Sequence, residues 1–132
     1  MSILKSKSDI NLMAAELLHK NHLYPSVVHC SYYSCFQLMK HLWLGKMGKT
    51  EEDLKTANNN TTEGSHEVLI NKIIAYLKNC TSADSRTFQS NIGQLKKLRK
   101  KADYESVQID ISVSKDSIDL SKATSGILKK CL

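Results

Sequence analysis

Apolar residues recur every three or four positions along most of this chain, which is the spacing that places them on one face of an α-helix. Five segments show this pattern, at about residues 8–21, 25–46, 65–79, 84–103 and 114–130. The second segment is apolar around most of its circumference, which is typical of the central helix of a bundle. The pattern therefore predicts an all-α fold, an antiparallel up-and-down bundle of four to five helices that forms a single domain over residues 1–132.

The first and last of these helices are predicted from their caps and apolar stripes. Ser8-Asp9 is a suitable N-cap for the first helix. Its apolar positions are Ile10, Met13, Ala14, Leu17 and Leu18. The last helix is predicted to start at Ser114 and to direct four residues inward, namely Leu120, Ala123, Ile127 and Cys131. Short connections indicate that helices one and two, and helices three and four, are hairpin neighbours.

Two segments between the helices lack helical periodicity. Residues 49–64 are polar and include three consecutive asparagines, so we expect a loop there, with a helical turn near residues 50–55 capped by Thr50 and Asp53. In the segment 105–113, β-branched residues alternate with polar ones, at Val107, Ile109, Ile111 and Val113. This period of two predicts an extended arm that lies along the bundle.

A positively charged residue occupies the apolar stripe of the fourth helix. The stripe runs through Phe88, Ile92, Leu95, Arg99 and Ala102. A guanidinium that points toward a packed face loses much of its hydration, so it needs a partner or an opening onto a groove. Asp103 lies one turn beyond Arg99, and Tyr104 follows it. We therefore take Arg99, Asp103 and Tyr104 as candidate catalytic residues, with a structural i,i+4 ion pair between Arg99 and Asp103 as the alternative.

Lysines flank that stripe, and the whole chain is basic, with a net charge of +6 and a pI near 9.1. The lysines are Lys96, Lys97, Lys100 and Lys101. Together they favour an anionic ligand such as RNA or a nucleotide. The alternative is an ordinary solvated helix face, which is the commoner use of such a run.

Tyr33 and His66 complete the set of candidate nucleic-acid-binding or nucleotide-binding residues. Tyr32 and Tyr33 project about 100° apart on the second helix, so only one of them has to be a core residue. His66 lies in the first turn of the third helix, at the start of an inward-facing stripe that continues through Ile70, Ile73 and Leu77. A histidine in such a place is either a hydrogen-bonded core residue or a ligand-binding group, and both interpretations stay open.

The sequence indicates neither a metal nor another cofactor. Its cysteines have no C-x-x-C spacing and no zinc-like spacing with histidine. They are Cys30, Cys35, Cys80 and Cys131. We expect them to be reduced thiols in a cytoplasmic protein. No run of 18 apolar residues and no signal-peptide pattern is present, so we expect no membrane segment.

Three short motifs follow one another along the chain. They are Ser26–Phe36 (SVVHCSYYSCF), Ser65–Val68 (SHEV) and Leu98–Tyr104 (LRKKADY). Their order and spacing resemble the HEPN domain superfamily, and in particular the branch with a Tyr-Tyr-x-x-Phe helix and an Arg-x-x-Ala-Asp-Tyr ending. The resemblance extends over about residues 9–130.

This resemblance implies a helical bundle that forms a homodimer and takes part in a toxin–antitoxin or defence system. Many members cleave RNA, and many are encoded beside a minimal nucleotidyltransferase, which would be the partner protein. The ribonucleases of the family carry an arginine followed four to six residues later by a histidine. Arg99 matches that arginine, but no histidine follows it in this sequence, so half of the catalytic motif is missing.

Three functions follow as expectations. The first is a HEPN module that binds a nucleotidyltransferase, another protein, or a nucleic acid or nucleotide, with Tyr104 as a candidate nucleotidylation target. The second is a metal-independent ribonuclease toxin, in which Arg99 would stabilise charge on the phosphate and an unusual helper would act as base. A tyrosine with its ordinary pKa near ~10 is a poor base at neutral pH. The third is a purely structural homodimeric subunit without a ligand.

Overall fold

The computed structural model describes residues 2–132, and the regular secondary structure in that range consists of six α-helices. They are α1 (Ile3–Lys20), α2 (Tyr24–Leu44), α3 (Glu51–Asn59), α4 (Ser65–Cys80), α5 (Ser82–Tyr104) and α6 (Ile111–Lys129). The predicted all-α bundle is confirmed, with six helices in residues 2–132 where four to five were expected.

α2 is the central helix of the bundle, as predicted. It packs against α1, α5 and α6, and α5 also packs against α4 and α6. Residues 21–23 join α1 to α2, and Thr81 alone joins α4 to α5. Both pairs therefore form the expected antiparallel hairpins. Within residues 2–132, no helix combines the length and the apolar character needed to cross a membrane.

The main core lies between α2, α4 and α5. Their predicted stripes are buried, and the largest side chains with almost no exposed surface include Tyr32, Leu38, Met39, Leu42, Leu69, Ile73, Leu77, Phe88, Ile92 and Leu95. Burial of each large aliphatic side chain contributes roughly 1.5–3 kcal/mol. This packing sets the relative positions of the three helices that carry the candidate site.

The first helix starts earlier than predicted and exposes much of its apolar stripe. The hydroxyl of Ser2, rather than that of Ser8, caps α1 by accepting hydrogen bonds from backbone N–H groups. Ser8 lies within the helix, is buried, and donates a hydrogen bond of 2.6 Å to the backbone oxygen of Ser34. The fully buried side chains of α1, Ser8 and Ala15, are thus small. Ile10, Met13 and Leu17 face outward.

The predicted loop over residues 49–64 contains a helix, α3. Its cap was predicted correctly, because the Thr50 hydroxyl accepts from the Asp53 N–H and the Asp53 carboxylate accepts from the Thr50 N–H. The capping box continues into a helix of nine residues. The next helix, α4, begins at Ser65 and has Gly64 at its N-cap position.

The prediction of an extended arm over residues 105–113 was wrong for residues 111–113, which belong to α6. The side chain of Asp110 caps α6 by accepting a hydrogen bond of 2.9 Å from the Val113 N–H, so the helix begins at Ile111 and not at Ser114. Residues 105–110 form the irregular connection from α5 to α6, and Ile109 is its buried anchor.

Small polar residues form much of the buried face of α6, which the sequence pattern did not predict. They are Ser114, Ser117, Ser121, Thr124 and Ser125. Of the residues expected to point inward, Ile127 is buried, Leu120 and Cys131 are partly buried, and Ala123 is exposed. Ser117, Ser121 and Thr124 donate to backbone oxygens; Ser121, for example, donates a hydrogen bond of 2.8 Å to the carbonyl of Ser31 on α2. The hydroxyl of Ser114 pairs with the His19 ring, and that of Ser125 pairs with the Cys35 sulfur.

Candidate functional site

Aromatic and histidine side chains share one face of α2. His29, Tyr32, Tyr33 and Phe36 are spaced by three, four and seven residues, which keeps them on neighbouring positions of the helix surface. The rings contact each other, with centroids 4.7 Å apart for His29 and Tyr33 and 5.2 Å apart for Tyr32 and Tyr33. This face of α2 is directed toward the last turns of α5.

Arg99 of α5 lies against these rings. Its side chain is only 9% exposed. The central carbon of the guanidinium is 5.0 Å from the Tyr32 ring centroid and 5.7 Å from those of Tyr33 and Tyr104. These distances are typical of cation–π contacts. The expectation that Arg99 points inward, toward a carboxylate and a phenol, is confirmed.

Asp103 links Arg99 to a histidine of α2. One oxygen of its carboxylate, Oδ2, lies 3.7 Å from Nη1 of Arg99 and 3.0 Å from Nδ1 of His29. A carboxylate can only accept, so Nδ1 of His29 donates this hydrogen bond. When the imidazole is neutral, its other nitrogen, Nε2, is then unprotonated and able to take a proton. The His29 side chain is 49% exposed, so solvent reaches it.

His66 of α4 contacts the same aromatic face of α2. A hydrogen bond of 2.8 Å joins its Nδ1 to the Tyr32 hydroxyl, and its ring stacks on Phe36 with centroids 4.2 Å apart. Burial, together with the positive charges of Arg99 and Lys96, lowers the pKa of His66, which favours the neutral imidazole. Burial raises the pKa of the Tyr32 hydroxyl, which therefore stays protonated.

We call this group of side chains the Arg99 cluster. It consists of His29, Tyr32, Tyr33, His66, Arg99, Asp103 and Tyr104. Of the residues predicted as catalytic or ligand-binding, five belong to it: Arg99, Asp103, Tyr104, Tyr33 and His66. Tyr32 is buried and Tyr33 is partly exposed, as the spacing of the two tyrosines allowed.

The predicted lysines do not belong to this cluster. Lys96 forms an ion pair with Glu67 of α4. Lys97, Lys100 and Lys101 are exposed, and no carboxylate among residues 2–132 pairs with them. The last turns of α5 thus present positive charge that the fold leaves without an ionic partner.

His29 had no predicted role, although its spacing from Tyr33 in the sequence could have indicated one. His29 lies four residues before Tyr33, so the helical spacing places both side chains on one face of α2. The contact with Asp103, in contrast, depends on how α2 and α5 pack and has no local sequence pattern.

The cluster offers the groups needed to bind and polarise a phosphate. Arg99 supplies a fixed cation, Tyr33 and Tyr104 supply partly or fully exposed rings, and His29 supplies an oriented imidazole. In the part of the chain that the structure describes, no group of three or more His, Cys, Asp or Glu side chains is arranged to hold a metal ion. The four cysteines carry free thiols.

Comparisons of this chain with protein-family models, with curated proteins and with solved structures found no match.

Proposed function

We propose that this chain is a HEPN-type helical module that binds RNA or a nucleotide through a phosphate group at the Arg99 cluster. The proposal rests on the geometry around one guanidinium and on the resemblance of the three sequence motifs to that superfamily.

The observation that carries the proposal is the incomplete neutralisation of Arg99. Its one carboxylate partner among the described residues is Asp103, at 3.7 Å, and the same carboxylate oxygen is closer to His29, at 3.0 Å. A guanidinium forms its strongest bonds as a pair of parallel N–H donors to two oxygens of a carboxylate or phosphate. Asp103 does not provide that arrangement, so a phosphate would bind more favourably here than to an arginine already in a bidentate pair.

The surroundings of Arg99 also fit a nucleic-acid ligand. Tyr104 is 76% exposed and lies beside the guanidinium, where its ring could stack on a base. Lys97, Lys100 and Lys101 add unpaired positive charge on the same helix, and lysine contacts to phosphate increase affinity without selecting a sequence.

The test is a fluorescence-anisotropy titration of a 5′-labelled single-stranded RNA with the full chain. We expect Arg99→Gln to weaken binding at least tenfold, or about 1.4 kcal/mol. Arg99→Lys, which keeps the charge but loses the planar fork, should weaken it by less.

Arg86→Gln is the matched control, because Arg86 is exposed on the same helix and lies outside the cluster. It should change the affinity less than twofold, and circular dichroism should show that all variants fold. Equal losses for Arg86→Gln and Arg99→Gln would contradict a site at Arg99. An absence of RNA binding by the wild-type chain would favour the purely structural subunit.

We further propose a nucleotidyltransferase as the protein partner, as the resemblance implies. Tyr104 is the candidate target, because its ring is 76% exposed and its neighbour Arg99 could bind the triphosphate of the second substrate. In such a reaction the tyrosine oxygen bonds to the α-phosphorus and pyrophosphate leaves. Intact-mass spectrometry of the chain produced with its genomic neighbour tests this, and Tyr104→Phe should remove the added nucleotide mass.

A metal-independent ribonuclease is the second candidate function, and one observation favours it. The hydrogen bond from His29 to Asp103 orients an imidazole with a free Nε2 next to Arg99. This pair could replace the histidine that is missing from the sequence motif, since the helper needs to be near Arg99 in space and not in sequence.

The corresponding reaction uses groups of this chain alone. Nε2 of His29 would take the proton of a ribose 2′-OH, and the 2′-oxygen would form a bond to phosphorus while the bond from phosphorus to the 5′-oxygen breaks. Arg99 would stabilise the charge that develops on the phosphate oxygens. The leaving 5′-oxygen takes up a proton from water, and a 2′,3′-cyclic phosphate remains.

Cleavage of total RNA in the presence of a chelator tests this second function. We expect His29→Gln to slow cleavage by roughly 10²–10⁴-fold, the usual contribution of a general base, while RNA binding persists. His22→Gln is the matched control, because His22 is exposed and lies outside the cluster. If the wild-type chain binds RNA but does not cleave it, the binding function stands and the ribonuclease is excluded.

A further inference from the structure

Two cysteines from distant parts of the sequence meet where the end of α6 lies beside the junction of α4 and α5. Cys80 is the last residue of α4, and Cys131 follows the end of α6 by two residues. Lys130, the neighbour of Cys131, forms an ion pair of 3.6 Å with Asp84 in the first turn of α5. Because Thr81 alone separates α4 from α5, this ion pair holds the chain around Cys131 next to Cys80.

The two thiols are also neighbours at the level of side chains. The Cys80 thiol lies within hydrogen-bonding reach of the Cys131 thiol and of the Tyr76 hydroxyl. Cys131 and Tyr76 pack against the main core, whereas Cys80 is exposed. The pair thus combines one thiol that solvent reaches freely with one that the fold holds in place.

The difference in exposure gives the two thiols different reactivity. Burial raises the pKa of the Cys131 thiol, and the neighbouring Cys80 raises it further, so Cys131 is protonated at neutral pH. A protonated, partly buried thiol is a poor nucleophile toward an oxidant in solution. Cys80 is the accessible sulfur of the pair, and access is one of the factors that set the rate of thiol–disulfide exchange.

We propose that Cys80 and Cys131 form a reversible redox pair, which low-molecular-weight disulfides such as glutathione disulfide oxidise to an intramolecular disulfide. The Cys80 thiolate attacks one sulfur of the oxidant, which releases one glutathione thiolate and leaves a mixed disulfide on Cys80. The Cys131 thiolate then attacks the Cys80 sulfur and releases the second glutathione thiolate. The two cysteine protons go to the two glutathione thiolates, so the cysteines are oxidised and the glutathione disulfide is reduced.

The disulfide ties the end of α6 to the end of α4 and encloses α5 and α6 in a covalent loop. A cross-link of this kind stabilises a fold mainly by restricting the unfolded chain. In reducing compartments protein disulfides are usually transient and respond to redox conditions. Oxidation therefore converts the chain into a more stable form when low-molecular-weight disulfides accumulate. The Arg99 cluster takes no part in this chemistry, which is independent of the proposed RNA-binding function.

Tryptic mapping of the full chain without reductant, after incubation with glutathione disulfide, tests the proposal. We expect the peptides of residues 79–86 and 131–132 to be joined by a disulfide in most chains. Cys131→Ser should instead retain one glutathione on Cys80, and Cys80→Ser should leave Cys131 unmodified. Cys30→Ser is the matched control, because Cys30 is partly exposed and packs in a separate cluster, and it should form the disulfide as the wild type does.

Wild-type chains that retain glutathione on Cys80, or that dimerise through Cys80, would overturn the proposal, because in both cases the Cys131 sulfur does not reach Cys80. The rate at which the mixed disulfide closes should rise about tenfold per pH unit between about pH 7 and 8, since the pKa of Cys131 lies above this range and its thiolate is the attacking group. A rate independent of pH would contradict the role given to Cys131.

Thermal unfolding tests whether the fold already places the two thiols for bonding. The midpoint of the oxidised wild-type chain should exceed that of the reduced chain by roughly 5–15 °C. Cys131→Ser treated in the same way should show no such increase. An oxidised wild-type chain that unfolds at or below the temperature of the reduced chain would show that the bond distorts the fold, and would overturn the proposal.

Discussion

Arg99 keeps its charge where most of the water around its guanidinium has been removed. Its Nε is buried without a hydrogen-bond acceptor among the described residues, which costs about 1–3 kcal/mol. The three neighbouring rings, at roughly 0.5–2 kcal/mol each, are together able to offset this cost.

The sequence predicted the core of the site because the relevant spacing is local. Arg99 and Asp103 are four residues apart on one helix, so their proximity follows from helix geometry alone. His29 and His66 reach the site from α2 and α4, and their positions depend on packing between helices. Local periodicity could place His66 on an inward face, but it could not show that Tyr32 would be its partner.

His66 makes stability depend on pH. Because its pKa is lowered in the folded chain, the unfolded chain binds more protons once the pH falls below the ordinary value of 6.5. The free energy of unfolding should therefore decrease as the pH falls from about 7 toward 5 and level off below the folded pKa. Urea unfolding at several pH values measures this, and His66→Gln should have a shallower pH dependence than the wild type.

His22→Gln serves as the comparison, because His22 is exposed and outside the cluster. It should retain the wild-type pH dependence. If the free energy of unfolding of His66→Gln depends on pH as strongly as that of the wild type, the His66 imidazole does not cause this dependence.

Among the elements, the helices with strongly periodic buried faces were predicted well, and the errors have physical causes. In α1 the large apolar residues Ile10, Met13 and Leu17 lie on the exposed face, so hydrophobic periodicity indicated the wrong side for these three. In α6 the inner face is rich in serine and threonine, whose hydroxyls bond to backbone carbonyls, and this weakened the helical signal. Alternating β-branched residues around Ile109 then favoured an extended structure, although the cap at Asp110 starts a helix.

The short helix α3 is the element we expect to open most easily. Leu54 is its one buried side chain among the described residues, and Trp43 donates a hydrogen bond of 3.0 Å from its indole to the carbonyl of Thr50. Leu54→Ala removes that anchor, at a cost of about 2–5 kcal/mol if the site does not collapse. We expect local opening of α3, with the emission of Trp43, the sole tryptophan, shifting to longer wavelength.

In Leu54→Ala, amide hydrogen exchange should become faster in residues 51–59, while the amides of α2 and α5 stay protected from exchange. Thr56→Ala, on the exposed side of the same helix, should leave both the emission and the exchange unchanged. A Leu54→Ala variant that unfolds as a whole, with no separate opening of α3, would contradict this account of its attachment.

At the scale of the whole molecule, the bundle separates two surfaces with different properties. α1 exposes several large apolar side chains, whereas the last turns of α5 carry the buried guanidinium of Arg99 and three exposed lysines. The separation follows from the central position of α2, which packs against both helices.

The salt dependence of RNA binding tests the central claim most directly. For the wild-type chain, the logarithm of the binding constant should fall linearly with the logarithm of salt concentration, because phosphate contacts release counterions. Arg99→Gln should reduce that slope by roughly 0.7 on single-stranded RNA, the value for one lost phosphate contact, while Arg86→Gln should not change it. An Arg99→Gln variant with the affinity and the slope of the wild type would contradict phosphate binding at the Arg99 cluster.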